Sequence, residues 1–407
     1  MPVIHFIDVT NRDAVQASRI KLAKLQKTMV NVYLGQMGVY QSEFAFPYTR
    51  HEQNYVQANL ELARMGAMGN LLLEGWCRAL GQDVGSCFTT GVEHLNLSIS
   101  TSDQMIQHKF KGKLDRAQII REMAEAVTSA RRAGIKSLGV NAEDASRTDM
   151  DYLIEFGLAA KEAGADRLRY CDTVGYHTPL SIYDRIRKLA DTVHIPLELH
   201  CHNDLGMAVA NSVAGAKAAL DGGVDAYINT CVNGMGERAG QADLLSCILA
   251  VKFGRDMESC QIGDNLNLKV ACRLARYVSC AFGVPIPINQ PGVGANAFAH
   301  ESGIHADGTL KDRRNYELYD PDFLGLDEEE KAPVGRVITT GEYGGMAGFK
   351  YVYNRLGIAF PDENTAEKVL DLVRYANLHT QMPLTDDELR FIARYPEQVR
   401  KILTITP

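Results

Sequence analysis

Leu197-Glu198-Leu199-His200-Cys201-His202-Asn203-Asp204 is the stretch whose reading decides the fold of this chain. It begins just after Pro196 and alternates in character, as a strand does, so Glu198, His200 and His202 fall on one face. Two imidazoles at a strand end with carboxylates beside them can hold one divalent cation, and they can equally form a hydrogen-bonded pair in a core. Residues 205–220 follow at once with helical spacing and stop at Gly222-Gly223, which makes the segment one strand–helix unit.

The same unit recurs on the N-terminal side. Strands are expected near 3–8, 39–45, 70–74, 92–98, 136–141, 166–171, 196–201 and 225–230, with helical patterns between them. Leu22, Leu25, Met29 and Val32 are spaced as one helix face, and so are Ile119, Met123, Ala126 and Ala130, with Gly134 as the stop. Alternating β and α units imply a parallel sheet, and eight of them in about 280 residues fit an α/β chain closed as a (β/α)8 TIM barrel, with an open doubly wound sheet as the competitor. We therefore read residues 1–283 as a barrel, 284–298 as a Pro/Gly-rich linker, and 299–407 as a smaller, mainly helical subdomain. That last region holds an acidic patch at 327–330, a Gly-rich stretch at 341–348, and amphipathic helices expected at 362–376 and 385–402.

Bulk composition narrows the function. The 407 residues are 46% hydrophobic and 23% charged, values of an ordinary globular enzyme, and the net charge of -7 argues against a nucleic-acid partner. No apolar run reaches membrane-span length and no signal-peptide core opens the chain, so a cytoplasmic protein with no membrane partner is expected. Nine scattered cysteines without a C-x-x-C pair read as reduced thiols.

Active sites of such barrels lie at the C-terminal strand ends. Here those ends carry Asp8 to Asp13, Glu43, Glu74, Asn141 to Asp144, Asp172-Thr173, His200 and His202, and Asn229 to Asn233. Each alone fits a helix cap or solvated loop; together they predict a polar mouth over an apolar barrel. Asp13 with His200 and His202 gives one carboxylate and two imidazoles, suited to zinc, manganese, cobalt or iron and less to magnesium. Arg12 is a permanent cation beside that set, or a salt-bridge residue. The glycines of 233–240 do not form a dinucleotide fingerprint, but they can bring N–H groups to an anion or simply close a turn. His300 and His305, past the linker, read by themselves as surface residues.

In order along the chain, Asp8-x-Thr10-x-Arg12-Asp13, Glu143-Asp144-Ala145-Ser146-Arg147, Asp172-Thr173-Val174-Gly175, His200-x-His202-Asn203-Asp204-x-Gly206 and Asn233-Gly234-x-Gly236-Glu237-Arg238-Ala239-Gly240 resemble the motifs of the homocitrate/2-isopropylmalate/citramalate synthase family. The segment with His300, His305 and Tyr316 is similar to the family's lid region. The resemblance implies a metal-dependent Claisen condensation of acetyl-CoA with a 2-oxo acid, run by a homodimer with a divalent metal (Mn, Zn, Co or Mg). It assigns Asp13, His200, His202 and Asn233 to the metal, and Arg12, Glu43, Thr173 and Glu237 to substrate. Arg12, Glu143, His305 and Tyr316 become the catalytic set, with His305 as base oriented by Glu143.

Departures from the pattern bear on the substrate. Ala14-Val15-Gln16 replaces the usual Gly-Glu-Gln, and Gly139 stands where some homocitrate synthases carry an arginine for the distal carboxylate of 2-oxoglutarate, a role open to Arg147, Arg169 or His94. The first strand is most similar to the subgroup of Re-type citrate synthases and phosphinomethylmalate synthases. A 2-oxo dicarboxylate is therefore expected, oxaloacetate giving citrate or 2-oxoglutarate giving homocitrate. The alternatives are a 2-isopropylmalate or citramalate synthase, a related lyase such as 3-hydroxy-3-methylglutaryl-CoA lyase, and a non-catalytic barrel that binds a 2-oxo acid. The chain also looks too short for a leucine-sensing regulatory domain.

Overall fold

The computed structural model describes residues 1–326, 337–380 and 382–403. The acidic patch read at 327–330 lies outside them. Two compact units form, Met1–Ile286 and Pro287–Pro407.

The first unit is the barrel. Strands β1 (Val3–Asp8), β2 (Gln41–Ala45), β3 (Leu72–Arg78), β4 (His94–Ser100), β5 (Ser137–Glu143), β6 (Arg167–Asp172), β7 (Leu197–Cys201) and β8 (Ala226–Thr230) pair in parallel in chain order. β1 pairs with both β2 and β8, so the sheet closes and the open doubly wound arrangement is excluded. Helices between the strands include α1 (Lys24–Met37), α2 (Asp103–His108), α3 (Arg116–Arg132) and α4 (Ala208–Asp221). α3 buries Ile119, Met123, Ala126 and Ala130, as its spacing predicts, because Asp115 caps its start through Gln118.

Alternate residues of each strand divide between the helices and the barrel interior. Leu95, Leu97, Leu138, Val140, Leu168, Leu197, Leu199 and Ile228 make the buried apolar set. The other positions carry Glu43, Glu74, Asn96, Arg167, Arg169, Glu198 and Asn229, all buried. These point inward, since Arg169 on β6 reaches Glu43 on β2, and Arg167 on β6 reaches Glu74 on β3, across the barrel. The expectation of a polar mouth over an apolar barrel is therefore corrected: the interior itself is an ion-paired polar web. Burial of these charges is tolerable because each finds an opposite partner.

This web also explains the strand boundaries that sequence missed. β3 was expected at 70–74 and runs from Leu72 to Arg78, so Glu74 lies deep in the interior rather than at the rim. α1 shows the same effect. Its buried face is Lys27, Val30, Asn31, Leu34 and Met37, whereas Leu25 is 73% exposed. Asn31 takes a hydrogen bond from Asn11 (2.8 Å) and one from Ser42 (2.9 Å), and Lys27 donates to Glu52 at 2.7 Å. Polar residues with partners displace the leucines that periodicity alone puts inside.

The second unit is mainly helical, with a small parallel pair, β9 (Ala299–His300) and β10 (Val337–Ile338). Helices α5 (Gly303–Lys311), α6 (Met346–Arg355), α7 (Glu363–Asn377), α8 (Asp386–Arg394) and α9 (Pro396–Leu403) follow. Their core is built on Phe349, Val352, Tyr353, Val369, Leu370, Val373, Leu389 and Ile392. The helix expected over 385–402 is two helices, because Pro396 lacks the N–H that a continuous helix needs there. No helix among the described residues is long and apolar enough to cross a membrane.

Candidate metal centre and substrate mouth

The Asp8-x-Thr10 pair is a fastener. Asp8 accepts the Thr10 N–H (3.0 Å) and hydroxyl (3.1 Å), and the Thr10 oxygen accepts the Val232 N–H at 2.9 Å, tying the end of β1 to the loop after β8. The chain then turns, with the Arg12 and Asp13 N–H groups both donating to the Val9 carbonyl. This turn presents Asp13 to β7. Asp13, His200 and His202 each offer a ligand atom, and those atoms all lie within 4.8 Å of one another. His200 Nε2 is 3.3 Å from Asp13 Oδ2, and the two imidazoles meet edge to face at 5.1 Å. All three side chains are buried.

The protonation pattern of the trio follows from its supports. Glu198 can only accept, so Asn229 turns its NH2 to it at 2.6 Å. That leaves the Asn229 oxygen facing His200 Nδ1 at 3.1 Å, which must carry the proton. Nε2 then faces the Asp13 carboxylate and is the ring nitrogen placed to meet a cation. Burial, then the neighbouring His200, pushes His202 down to about 3, so it is neutral near pH 7, and its Nδ1 is buried without a hydrogen-bond partner. Burial alone would raise the Asp13 carboxyl, but the Arg12 guanidinium beside it outweighs burial and holds it well below the usual carboxylate range. A carboxylate, two imidazoles and an unspent ring nitrogen on His202 fit a divalent cation.

Arg12 is anchored from beneath. It contacts Asp13 at 3.1 Å, pairs with Glu43, and lies over the Trp76 ring at 5.4 Å. Glu43 also holds Arg169 at 2.6 Å, and Arg169 holds Glu198 at 2.6 Å. Glu43 thus positions a guanidinium rather than offering itself to an anionic substrate. A continuous chain of contacts runs from Asp13 through Arg12, Glu43, Arg169, Glu198 and Asn229 back to His200.

Other motif residues lock the loops. Asp144, with φ +64°, is clamped by Arg147 at 2.8–3.0 Å, and its N–H donates to the Thr173 hydroxyl at 2.9 Å. Arg238 grips Asp204 through two bonds (2.9 and 3.0 Å) and the Thr173 carbonyl at 2.6 Å. Thr173 is in this way part of the loop lock. Glu237 is half-buried on the same loop. Glu143 meets Lys109 at 2.5 Å and Ser100 at 2.5 Å. Asn233 donates its amide to the Ala275 carbonyl at 2.8 Å, and the amide that reaches Asp13 is that of Gln241. Gln241 also bridges to His202 through the backbone.

Gln241 and Lys109 were not read as site residues, while Asn229 was read only as a rim residue and Arg169 only as open to a distal carboxylate. Gln241 directly follows the last glycine of the 233–240 motif, a signal that was available. The others are visible only once strand register and cross-barrel contacts are known. On the C-terminal unit, His305 and Tyr316 stand ring to ring at 4.4 Å, and His300 lies 3.3 Å from Glu317. The close fit is made possible by Gly308, where any Cβ would strike the Tyr316 ring.

Comparison with known proteins agrees with this architecture. Residues 3–278 match the HMGL-like family model, and residues 293–380 match that of the homocitrate synthase post-HMGL domain. The chain belongs to the HMGL-like family. Among its curated relatives is a citrate (Re)-synthase of Dehalococcoides mccartyi, 54% identical and covering 100% of this chain and 99% of the relative. A 2-isopropylmalate synthase of Caldanaerobacter subterraneus is 37% identical (96% and 94% covered), and a homocitrate synthase of Nostoc sp. is 33% identical (94% and 94%). Among solved structures of the HMGL-like fold, an HMG-CoA lyase of Bacillus subtilis superposes with a TM-score of 0.56 at 17% identity, covering 70% of this chain and 97% of its own.

Proposed function

We propose that this protein is an acyltransferase that joins acetyl-CoA to oxaloacetate on the Re face of its keto group and releases citrate and CoA. The observation that carries the reading is the trio of Asp13, His200 and His202 with Arg12 locked beside it, in a chain 54% identical over its whole length to a citrate (Re)-synthase. A divalent cation held by that trio would supply a Lewis acid for the keto oxygen of a 2-oxo acid. Arg12 brings a fixed positive charge to the same oxygen and stabilises the negative charge that develops there, and its own geometry is set by Glu43 and Asp13. Gln241 orients the Asp13 carboxylate.

The acetyl methyl group is a weak carbon acid, so a placed base and a shielded mouth are required. In this proposal His305 takes the proton, Tyr316 positions the imidazole or returns a proton, and Glu143 serves the same acid–base group. Water then cleaves the new thioester, which makes the step irreversible. Thr173 and Glu237 complete the substrate mouth, and Asn233 shapes its rim. The homodimer belongs to the same proposal and rests on the family resemblance. A reducing cytoplasm is part of the same proposal, and the buried free thiols of Cys77, Cys201, Cys231 and Cys247 suit it.

The test follows thiol release from acetyl-CoA with divalent metal and oxaloacetate, 2-oxoglutarate, 2-oxoisovalerate, pyruvate or glyoxylate. Oxaloacetate should give the highest kcat/KM. Citrate made from labelled acetyl-CoA and then cleaved by a lyase that removes the pro-S arm should return the label in oxaloacetate. Label recovered as acetate would refute the face, and no thiol release with any acid would refute the synthase.

A further inference from the structure

Beside the metal centre a cavity of about 620 Å³ opens over the ends of β3, β4 and β5. Its lining includes Trp76, the ring under Arg12, together with Ser98, Ser100, Lys109 and Glu143. Arg12, over the Trp76 ring, is thus one indole ring from this space. Oxaloacetate and 2-oxoglutarate end in a second carboxylate, which needs a cation there.

The basic groups around the mouth are nearly all committed. Arg169 is fully buried between Glu43 and Glu198. Arg147 spends its guanidinium on Asp144 through contacts of 2.8–3.0 Å. Arg78 lines the cavity but grips Asp83 through two bonds, 2.7 and 3.0 Å. His94 begins β4, at the end of the barrel opposite the mouth. Lys109, just after α2, differs. Its ammonium has three N–H donors, of which one goes to Glu143 (2.5 Å) and one to Ser100 (3.1 Å). Lys111 and Lys113 lie further along the same loop and line the cavity.

We infer that Lys109 is the specificity-determining residue that binds the distal carboxylate of the 2-oxo dicarboxylate, while Ser100 and Glu143 hold its ammonium in place. The inference rests on the reading of the substrate as a dicarboxylate. It gives Glu143 a second duty, as the counter-charge that keeps Lys109 at the mouth when no substrate is bound. A lysine suits the task because its point charge can turn between Glu143 and an incoming anion without a fixed fork geometry.

The experiment compares the wild-type enzyme with Lys109→Met and Lys109→Arg. It measures KM and kcat for oxaloacetate, KM for acetyl-CoA, and the inhibition constant of pyruvate, which shares the keto-acid end and lacks the second carboxylate. Loss of one charge-assisted bond should lower kcat/KM for oxaloacetate about ten- to a hundredfold in Lys109→Met, chiefly through KM. The pyruvate constant and the KM for acetyl-CoA should stay within about twofold, and Lys109→Arg should recover part of the loss. An unchanged KM for oxaloacetate, an equal weakening of pyruvate, or a rise confined to acetyl-CoA would each overturn the assignment of Lys109. If the wild type accepts 2-oxoglutarate instead, the same comparison is made with that acid. A wild type inert toward every dicarboxylate would overturn the substrate reading itself.

Discussion

At the scale of single residues, the centre depends on atoms whose protonation is dictated by neighbours. Asn229 fixes the proton of His200 on Nδ1 because Glu198 can only accept. Asn229→Leu should therefore keep the ligands yet lower metal affinity about ten- to a hundredfold, read by competition with a metal indicator, and unchanged affinity would show that Nε2 needs no such help. Glu43→Gln should release Arg12 and lower kcat by about a hundredfold while the metal stays bound, because one charged anchor of that guanidinium is lost. Steady-state kinetics with a metal assay on the same sample checks this. Asp13, His200 and His202 were legible in sequence because ligand chemistry restricts the residue types. Gln241 was not, and Asn229 was read only as one of the rim residues, since an amide is compatible with any loop and gains meaning only from what it faces.

Among elements, the strands were placed correctly and their ends less so. β1 matches its expected span, whereas β3, β4 and β5 each run two or more residues beyond it. The reason is that hydrophobic runs mark only the helix-facing half of each strand, and the inward half here is charged. Periodicity worked for α3, whose buried face is apolar, and failed for α1, whose buried face carries Lys27 and Asn31. The polar interior also sets tight steric limits. A Cβ at Gly139 on β5 would meet the Asn96 amide at 2.3 Å with Arg167 close by. Gly139→Ala should cost about 1–3 kcal/mol of stability by denaturant unfolding, and a neutral result would mean that β5 can shift without disturbing the web.

For the whole molecule, the closed barrel, the order of its units and the family were readable from sequence, and the charge balance of the interior was not. Four carboxylates (Asp13, Glu43, Glu74 and Glu198) face three guanidinium groups (Arg12, Arg167 and Arg169). The excess is relieved at Glu74, which burial first, then Glu198 and Glu43, push up to about 7 against the opposing arginines. The folded state thus holds a proton there that the unfolded chain gives up near pH 4.5, and the stabilisation from Glu74 falls as pH rises between about 4.5 and 7. Glu74→Gln imitates the protonated form. The Tm of Glu74→Gln minus that of the wild type, measured in chelator, should climb across that window and level off above it, whereas a flat difference would contradict the raised value.

The central claim is that one divalent cation, pinned by Asp13, His200 and His202, activates a 2-oxo acid toward acetyl-CoA. The most direct measurement titrates Mn²⁺ into chelator-treated protein by EPR and follows thiol release with oxaloacetate on the same samples, for the wild type and for His200→Ala. The account predicts one tight Mn²⁺ per chain with activity rising in step, and the loss of both in His200→Ala. Full activity without metal, or unchanged binding and turnover in His200→Ala, would contradict it.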